Sequence, residues 1–92
     1  MIKVKNLHGT ADNKVPNGYV SWLAYWETKT GERATECMCI GCNVSGRANL
    51  VGAHVKKVGS LDNKWYIVPL CQSDNMRTDE FYVSEPLALV NP

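Results

Sequence analysis

The chain has 92 residues, 45% of them apolar and 21% charged, with a formal net charge of +1. That length suits one small domain spanning residues 1–92, the apolar share argues against disorder, and the near-neutral charge provides no bulk attraction for a polyanion. No run approaches the roughly 20 consecutive apolar residues that a membrane span requires, and the opening MIKVKNLHGT lacks the hydrophobic core of a signal peptide, so a cytoplasmic protein is expected.

In chain order, IKVK at residues 2–5 alternates like a short strand. NLHGTADNKVPNG is rich in Gly, Asn, Asp and Pro and reads as a loop. From Tyr19 to Lys29, YVSWLAYWETK places Trp22, Leu23 and Trp26 at helical spacing with Tyr19 one turn earlier, and Gly31 stands where a helix would stop. An amphipathic helix with its aromatic stripe in the core is expected there. RATECMCIGCN reads as a strand running into a tight cysteine-bearing turn. LVGAHVKKV is a strand with Val51, Ala53 and Val55 on one side and Leu50, Gly52 and His54 on the other. GSLDN is a turn by composition, and KWYIVPL is the strongest strand signal, so the two strands form a hairpin. QSDNMRT suits a short helix or turn, and FYV and LALV suit short strands. Strand, helix, cysteine turn, hairpin, short helix and strand make an α+β fold rather than alternating βαβ units.

Cys37, Cys39, Cys42 and Cys71 are the chemically distinctive residues. In a reducing compartment, thiols at such short spacings serve as free thiols or metal ligands; in a secreted chain they would form two disulfides. C-x2-C at Cys39 and Cys42 fits a zinc knuckle, and Cys37 with Cys42 gives the wider C-x4-C version. Zinc prefers four ligands, so a second pair is expected from the stretch beginning at Cys71, where C-x2-D offers Asp74. The expected set is Cys39, Cys42, Cys71 and Asp74, with Cys37 as an alternative ligand and His54 as a possible fourth donor. Buried thiols with no metal are the competing explanation. The charged residues add a second feature, because Arg47, Lys56, Lys57 and Lys64 outnumber Asp62 around the hairpin and are candidates for contacts to nucleic acid.

A cysteine turn, GAHV with a central His54, then WYIVPLC and a polar triplet together resemble the HNH, or ββα-metal, finger group, and in particular its small bacterial and phage members. The likeness covers roughly residues 34–76, within a finger core of about residues 34–78, with HGT and SWLAYWETKTG as a similar lead-in. It implies a zinc-finger-type ββα core with the helix before it and short peripheral strands around it. It also implies that His54 matches the general base for phosphodiester hydrolysis and that Asn75 matches the closing ligand of a catalytic Mg or Mn ion. The chain departs from the family pattern at Ala53, which has no donor atom where a His or Asp binds that ion, and at Tyr66, where an Asn orients the base. A bridging divalent ion needs at least two protein donors.

The expectation is therefore a non-catalytic, zinc-stabilised HNH-like domain that binds nucleic acid or a nucleic-acid-processing protein. A metal-dependent nickase or endonuclease using His54 is the first alternative. A phage or mobile-element protein that binds and inhibits a host defence protein is the second.

Overall fold

The computed structural model describes residues 1–8 and 14–90. Part of the loop expected after the first strand, together with Gly9 and Thr10 of the HGT lead-in, lies outside the described residues. The elements are β1 (Ile2–Asn6), α1 (Trp22–Thr30), a 3-10 turn (Arg47–Asn49), β2 (Leu50–Lys57), β3 (Tyr66–Cys71), α2 (Gln72–Asn75), β4 (Glu80–Val83) and β5 (Ala88–Leu89). The strands form one antiparallel sheet in the order β4-β1-β2-β3-β5. The fold is thus α+β, with a five-stranded sheet and two helices. Among the described residues, no helix is long and apolar enough to cross a membrane.

The alternation of β1 has a direct structural outcome: Val4 and Asn6 are buried while Lys3 and Lys5 are exposed. Across the sheet, the face that carries Val4 also carries Ala53 and Val55 of β2, Val68 and Leu70 of β3, and Phe81 and Val83 of β4, all buried. α1 covers the β2–β3 part of the opposite face. All six residues of β3 are buried, because this strand lies inside the sheet and has both faces covered. That explains why its sequence is a continuous apolar run instead of an alternation.

α1 begins at Trp22, three residues later than the aromatic pattern alone suggests, because the Ser21 hydroxyl accepts a hydrogen bond from the Ala24 amide at 3.0 Å and acts as the N-cap. It ends at Gly31, whose φ of +74° is the left-handed conformation that glycine adopts readily, and whose amide donates to Glu27 O at 2.9 Å. Leu23 and Trp26 of the expected stripe are buried, and Tyr25 joins them. Two polar handles fix the helix: Tyr25 OH donates to Leu89 O at 2.7 Å and Trp26 Nε1 donates to Pro86 O at 2.9 Å. The helix approaches β2 most closely at Gly52, where an added Cβ would lie 2.6 Å from Leu23 N and from Trp22 C.

The strand expected over RATECMCIGCN is not a regular strand. It makes two isolated bridges, Glu36 with Ser45 and Cys39 with Val83. Its amides are nevertheless committed, since Met38 N donates to Pro69 O of β3 and Ile40 N donates to Tyr82 O of β4, both at 2.9 Å. Ser84 N returns a bond to Met38 O at 2.8 Å. This segment therefore ties β3 to the edge of β4 that β1 leaves open. Within the finger region, β2, β3 and α2 follow in β-β-α order, but α2 is a single turn of four residues.

Candidate metal centre

Residues 35–46 fold back on themselves, with Cys37 N donating to Val44 O at 2.9 Å and Gly46 N to Thr35 O at 2.8 Å. The tip closes through Cys42 N to Cys39 O at 3.1 Å, with Gly41 at a φ of +88°. This loop presents Cys37 and Cys42. Cys71 ends β3 and caps α2, and Asp74 sits in the first turn of that helix. One ligand atom from each of Cys37, Cys42, Cys71 and Asp74 lies within 4.8 Å of all the others.

The individual distances show a compact group. Cys37 Sγ is 3.2 Å and Cys71 Sγ 3.3 Å from Asp74 Oδ2, and Cys42 Sγ is 3.8 Å from Cys71 Sγ. The Cys71 amide donates to Cys37 Sγ at 3.2 Å, a bond that favours negative charge on that sulfur. Three cysteines and one aspartate are thus close enough to hold a metal ion.

Electrostatics fit a cation at this point. Burial pushes the Cys37 thiol far above its ordinary value. The Cys42 thiol is also raised: its hydrogen bond with the Val44 backbone works the other way, but burial and the Asp74 carboxylate prevail. Burial alone would raise Asp74, yet hydrogen bonds from the three thiols and the charge of Arg77 hold it below the usual carboxylate range. A divalent cation among these three sulfurs and one carboxylate is what would stabilise the thiolate forms.

Arg77 and Asn6 hold Asp74 in place. Arg77 Nη1 lies 3.7 Å from Asp74 Oδ1, the carboxylate oxygen turned away from the thiols, while its guanidinium makes a two-bond pair with Asp79 at 2.9 and 2.6 Å. The guanidinium also lies over the Phe81 ring, 4.7 Å from its centroid. Asn6 Nδ2 donates to Asp74 O at 2.8 Å and to Arg77 O at 3.0 Å, anchoring the short helix to β1. Neither residue stands out in the sequence; the i,i+3 spacing of Asp74 and Arg77 was the one available signal.

Cys39 lies outside the group, and Cys37 takes its place. The bridge to Val83 turns Cys39 toward β4, where its Sγ lies 3.5 Å from Arg77 Nη1. Burial and then the nearby Asp74 charge raise its thiol. His54 is also elsewhere. It pairs with Ile67 across the hairpin, whereas Cys71 pairs with Leu50, four residues away, or about 13 Å along a strand. Its imidazole lies edge-on to Trp22 at 4.6 Å and to Trp65 at 6.2 Å. Its Nε2 is buried with no hydrogen-bond partner among the described residues, and burial lowers its pKa. Asn75 is half-buried at the end of α2.

The four cations around the hairpin do not converge. Arg47 precedes β2 and pairs with Glu27 at 2.8 Å, whereas Lys56 and Lys57 end β2, about 20 Å away along the strand. Lys57 Nζ lies 4.4 Å from the Tyr66 ring centroid, and Lys64 is in the hairpin turn beside Asp62, whose carboxylate accepts from the Lys64 amide at 3.1 Å.

No family model matches the chain, and no curated protein or solved structure is significantly similar to it.

Proposed function

We propose that the protein is a non-catalytic, zinc-stabilised domain that binds nucleic acid. The observation that carries the metal half of this reading is the four-donor group of Cys37, Cys42, Cys71 and Asp74. Zn–S bonds of about 2.3 Å in a tetrahedron put two sulfurs about 3.8 Å apart, the separation of Cys42 and Cys71. With a Zn–O bond of about 2.1 Å the sulfur–oxygen separation is about 3.6 Å, so the contacts of 3.2 and 3.3 Å at Asp74 need to open only slightly. A thiolate-rich set favours zinc over magnesium or calcium, and four protein donors leave no open position of the kind a catalytic zinc keeps. The ion would join the 35–46 loop to the end of β3, two segments connected by no regular strand pairing.

The non-catalytic part is supported by His54, which packs against Trp22 and Trp65, and by Ala53, which supplies no donor. Among the described residues, no second close group of potential metal ligands accompanies His54 that would hold magnesium or manganese. The nucleic-acid part rests on exposed lysines at one edge of the hairpin, Lys56 with Lys5 opposite it.

Two measurements test this reading. Elemental analysis of the purified chain is expected to give one zinc per molecule, with melting shifted strongly downward by a chelator; no bound metal and unchanged melting would remove the metal half. Gel shifts with duplex and single-stranded DNA at low and higher salt are expected to show weak, salt-sensitive binding. No shift even at low salt would remove the nucleic-acid half.

A further inference from the structure

We propose that the part of the sheet left uncovered by α1 binds single-stranded nucleic acid, with Tyr82 as a stacking platform for a base and Lys5 and Lys56 as the phosphate contacts. The inference rests on the nucleic-acid reading above and specifies its surface and its ligand.

The register places these residues together. Lys3 pairs with Tyr82 and Lys5 with Glu80 across β1–β4, and Lys5 pairs with Lys56 across β1–β2. Residues directly opposite in a sheet point to the same side, so all five project from one face, and all five are exposed. Tyr82 is 46% exposed, which leaves its ring open to a stacking partner.

Charge on this face is unevenly satisfied. Lys3 Nζ is 3.4 Å from Glu80 Oε1 and 5.9 Å from the Tyr82 ring centroid, so it already has an anionic partner. Lys5 and Lys56 form no ion pair among the described residues. Like charges facing each other across strands repel, and an anion between them converts that repulsion into two attractions. The same two lysines border a polar depression of about 240 Å³ that Lys57, Ser60, Asn63 and the carboxylates of Asp62 and Glu80 also line. Glu80 is paired with Lys3, and Asp62 accepts from the Lys64 amide and the Tyr66 hydroxyl, so the ammonium groups of Lys5 and Lys56 are left to a further anion, for which a phosphate is the size of the recess.

The geometry favours an unpaired strand over a duplex. Reading a duplex takes a helix or a two-stranded ribbon that can enter the major groove. α1 is held to the core through Tyr25 and Trp26, and α2 has one turn. An open sheet face with an aromatic ring flanked by lysines instead matches the way unpaired bases are held, by stacking and backbone charge with little sequence preference.

Fluorescence anisotropy with labelled oligonucleotides of mixed sequence tests the proposal, using the full chain and single-stranded DNA, single-stranded RNA and duplex DNA. The single strands are expected to bind more tightly than the duplex, with affinity falling about 7-fold between 50 and 200 mM salt for two phosphate contacts. Tyr82→Ala should weaken binding about 10-fold, Tyr82→Trp should retain it, and the double variant Lys5→Ala/Lys56→Ala should remove most of the salt dependence. Arg33→Ala, which removes a cation outside the named set, should bind like the parent. Unchanged binding by the Tyr82 and lysine variants overturns this surface while leaving the nucleic-acid reading intact. A duplex preference overturns the single-strand inference, and absence of binding to every probe at low salt overturns both. DNA and RNA affinities separate the two chemical sources of the same ligand.

Discussion

At the open end of the β2–β3 hairpin, Cys71 meets Cys37, Cys42 and Asp74, and polar atoms from separate segments converge within 4.8 Å. Toward the turn of the same hairpin, His54 sits between Trp22 and Trp65 with a buried nitrogen that has no partner among the described residues. Both ends bury a group capable of binding metal. At one end the neighbours are donors and at the other they are aromatic rings, so the two are held together by different forces: hydrogen bonding among groups close enough to hold an ion in the first, packing in the second. A histidine or cysteine in a strand is a ligand only where its neighbours across the fold are donors too.

The largest expected effect comes from breaking the cysteine end. Cys37→Ser and Cys71→Ser should lose the stoichiometric ion and with it about 4 kcal/mol, the stabilisation a ligand confers when present at a thousand times its dissociation constant. Cys39→Ser should keep the ion. The contrast between positions 37 and 39 is read by metal content and by melting with and without chelator. Metal lost from Cys39→Ser and kept by Cys37→Ser would mean that the C-x2-C pair is the ligating one.

Gly52→Ala probes the packed end at its tightest point. A methyl group there would lie 2.6 Å from two backbone atoms at the start of α1, which cannot rotate away as a side chain can. The helix terminus carrying Trp22 has to lift from β2, and forced overpacking of this kind costs about 1–3 kcal/mol. Denaturant unfolding should show that loss without any change in bound metal. A variant as stable as the parent would mean that the helix start can shift freely, and that Trp22 does not pin His54.

Several of these features were legible in the sequence because they depend on neighbours in the chain. Gly31 stops α1, Val51, Ala53 and Val55 alternate with Leu50, Gly52 and His54, and the apolar run from Tyr66 to Cys71 marks the inner strand. What escaped depends on distant partners. C-x2-C and C-x4-C are equally compatible with a tight turn, and the difference is made by Cys39 bridging Val83 and Cys37 bonding to Val44. Arg47 and Lys56 are nine residues apart in the sequence, yet β2 carries them to opposite ends of the sheet. The exposed Lys3, Lys5, Lys56 and Tyr82 face joins three strands and is visible only in the register.

The smallest expected effect sharpens the comparison by titration. Burial depresses the pKa of His54 below its ordinary value of 6.5. The folded state therefore favours the neutral imidazole, while the unfolded chain takes up a proton as pH falls through about 6.5. Stability linked to His54 is fully present above that pH and is lost as pH falls toward the depressed folded value. His54→Leu keeps an apolar side chain between the two tryptophans and removes the buried nitrogen, so near pH 8 it should alter stability by less than about 1 kcal/mol. Below pH 6.5 the parent should lose stability relative to His54→Leu, and the difference between the two chains cancels the acid sensitivity of the cysteine end that they share. Parallel pH profiles would mean that His54 takes up its proton in the folded state as readily as in the unfolded one, and that the aromatic end is more open to water than its packing implies.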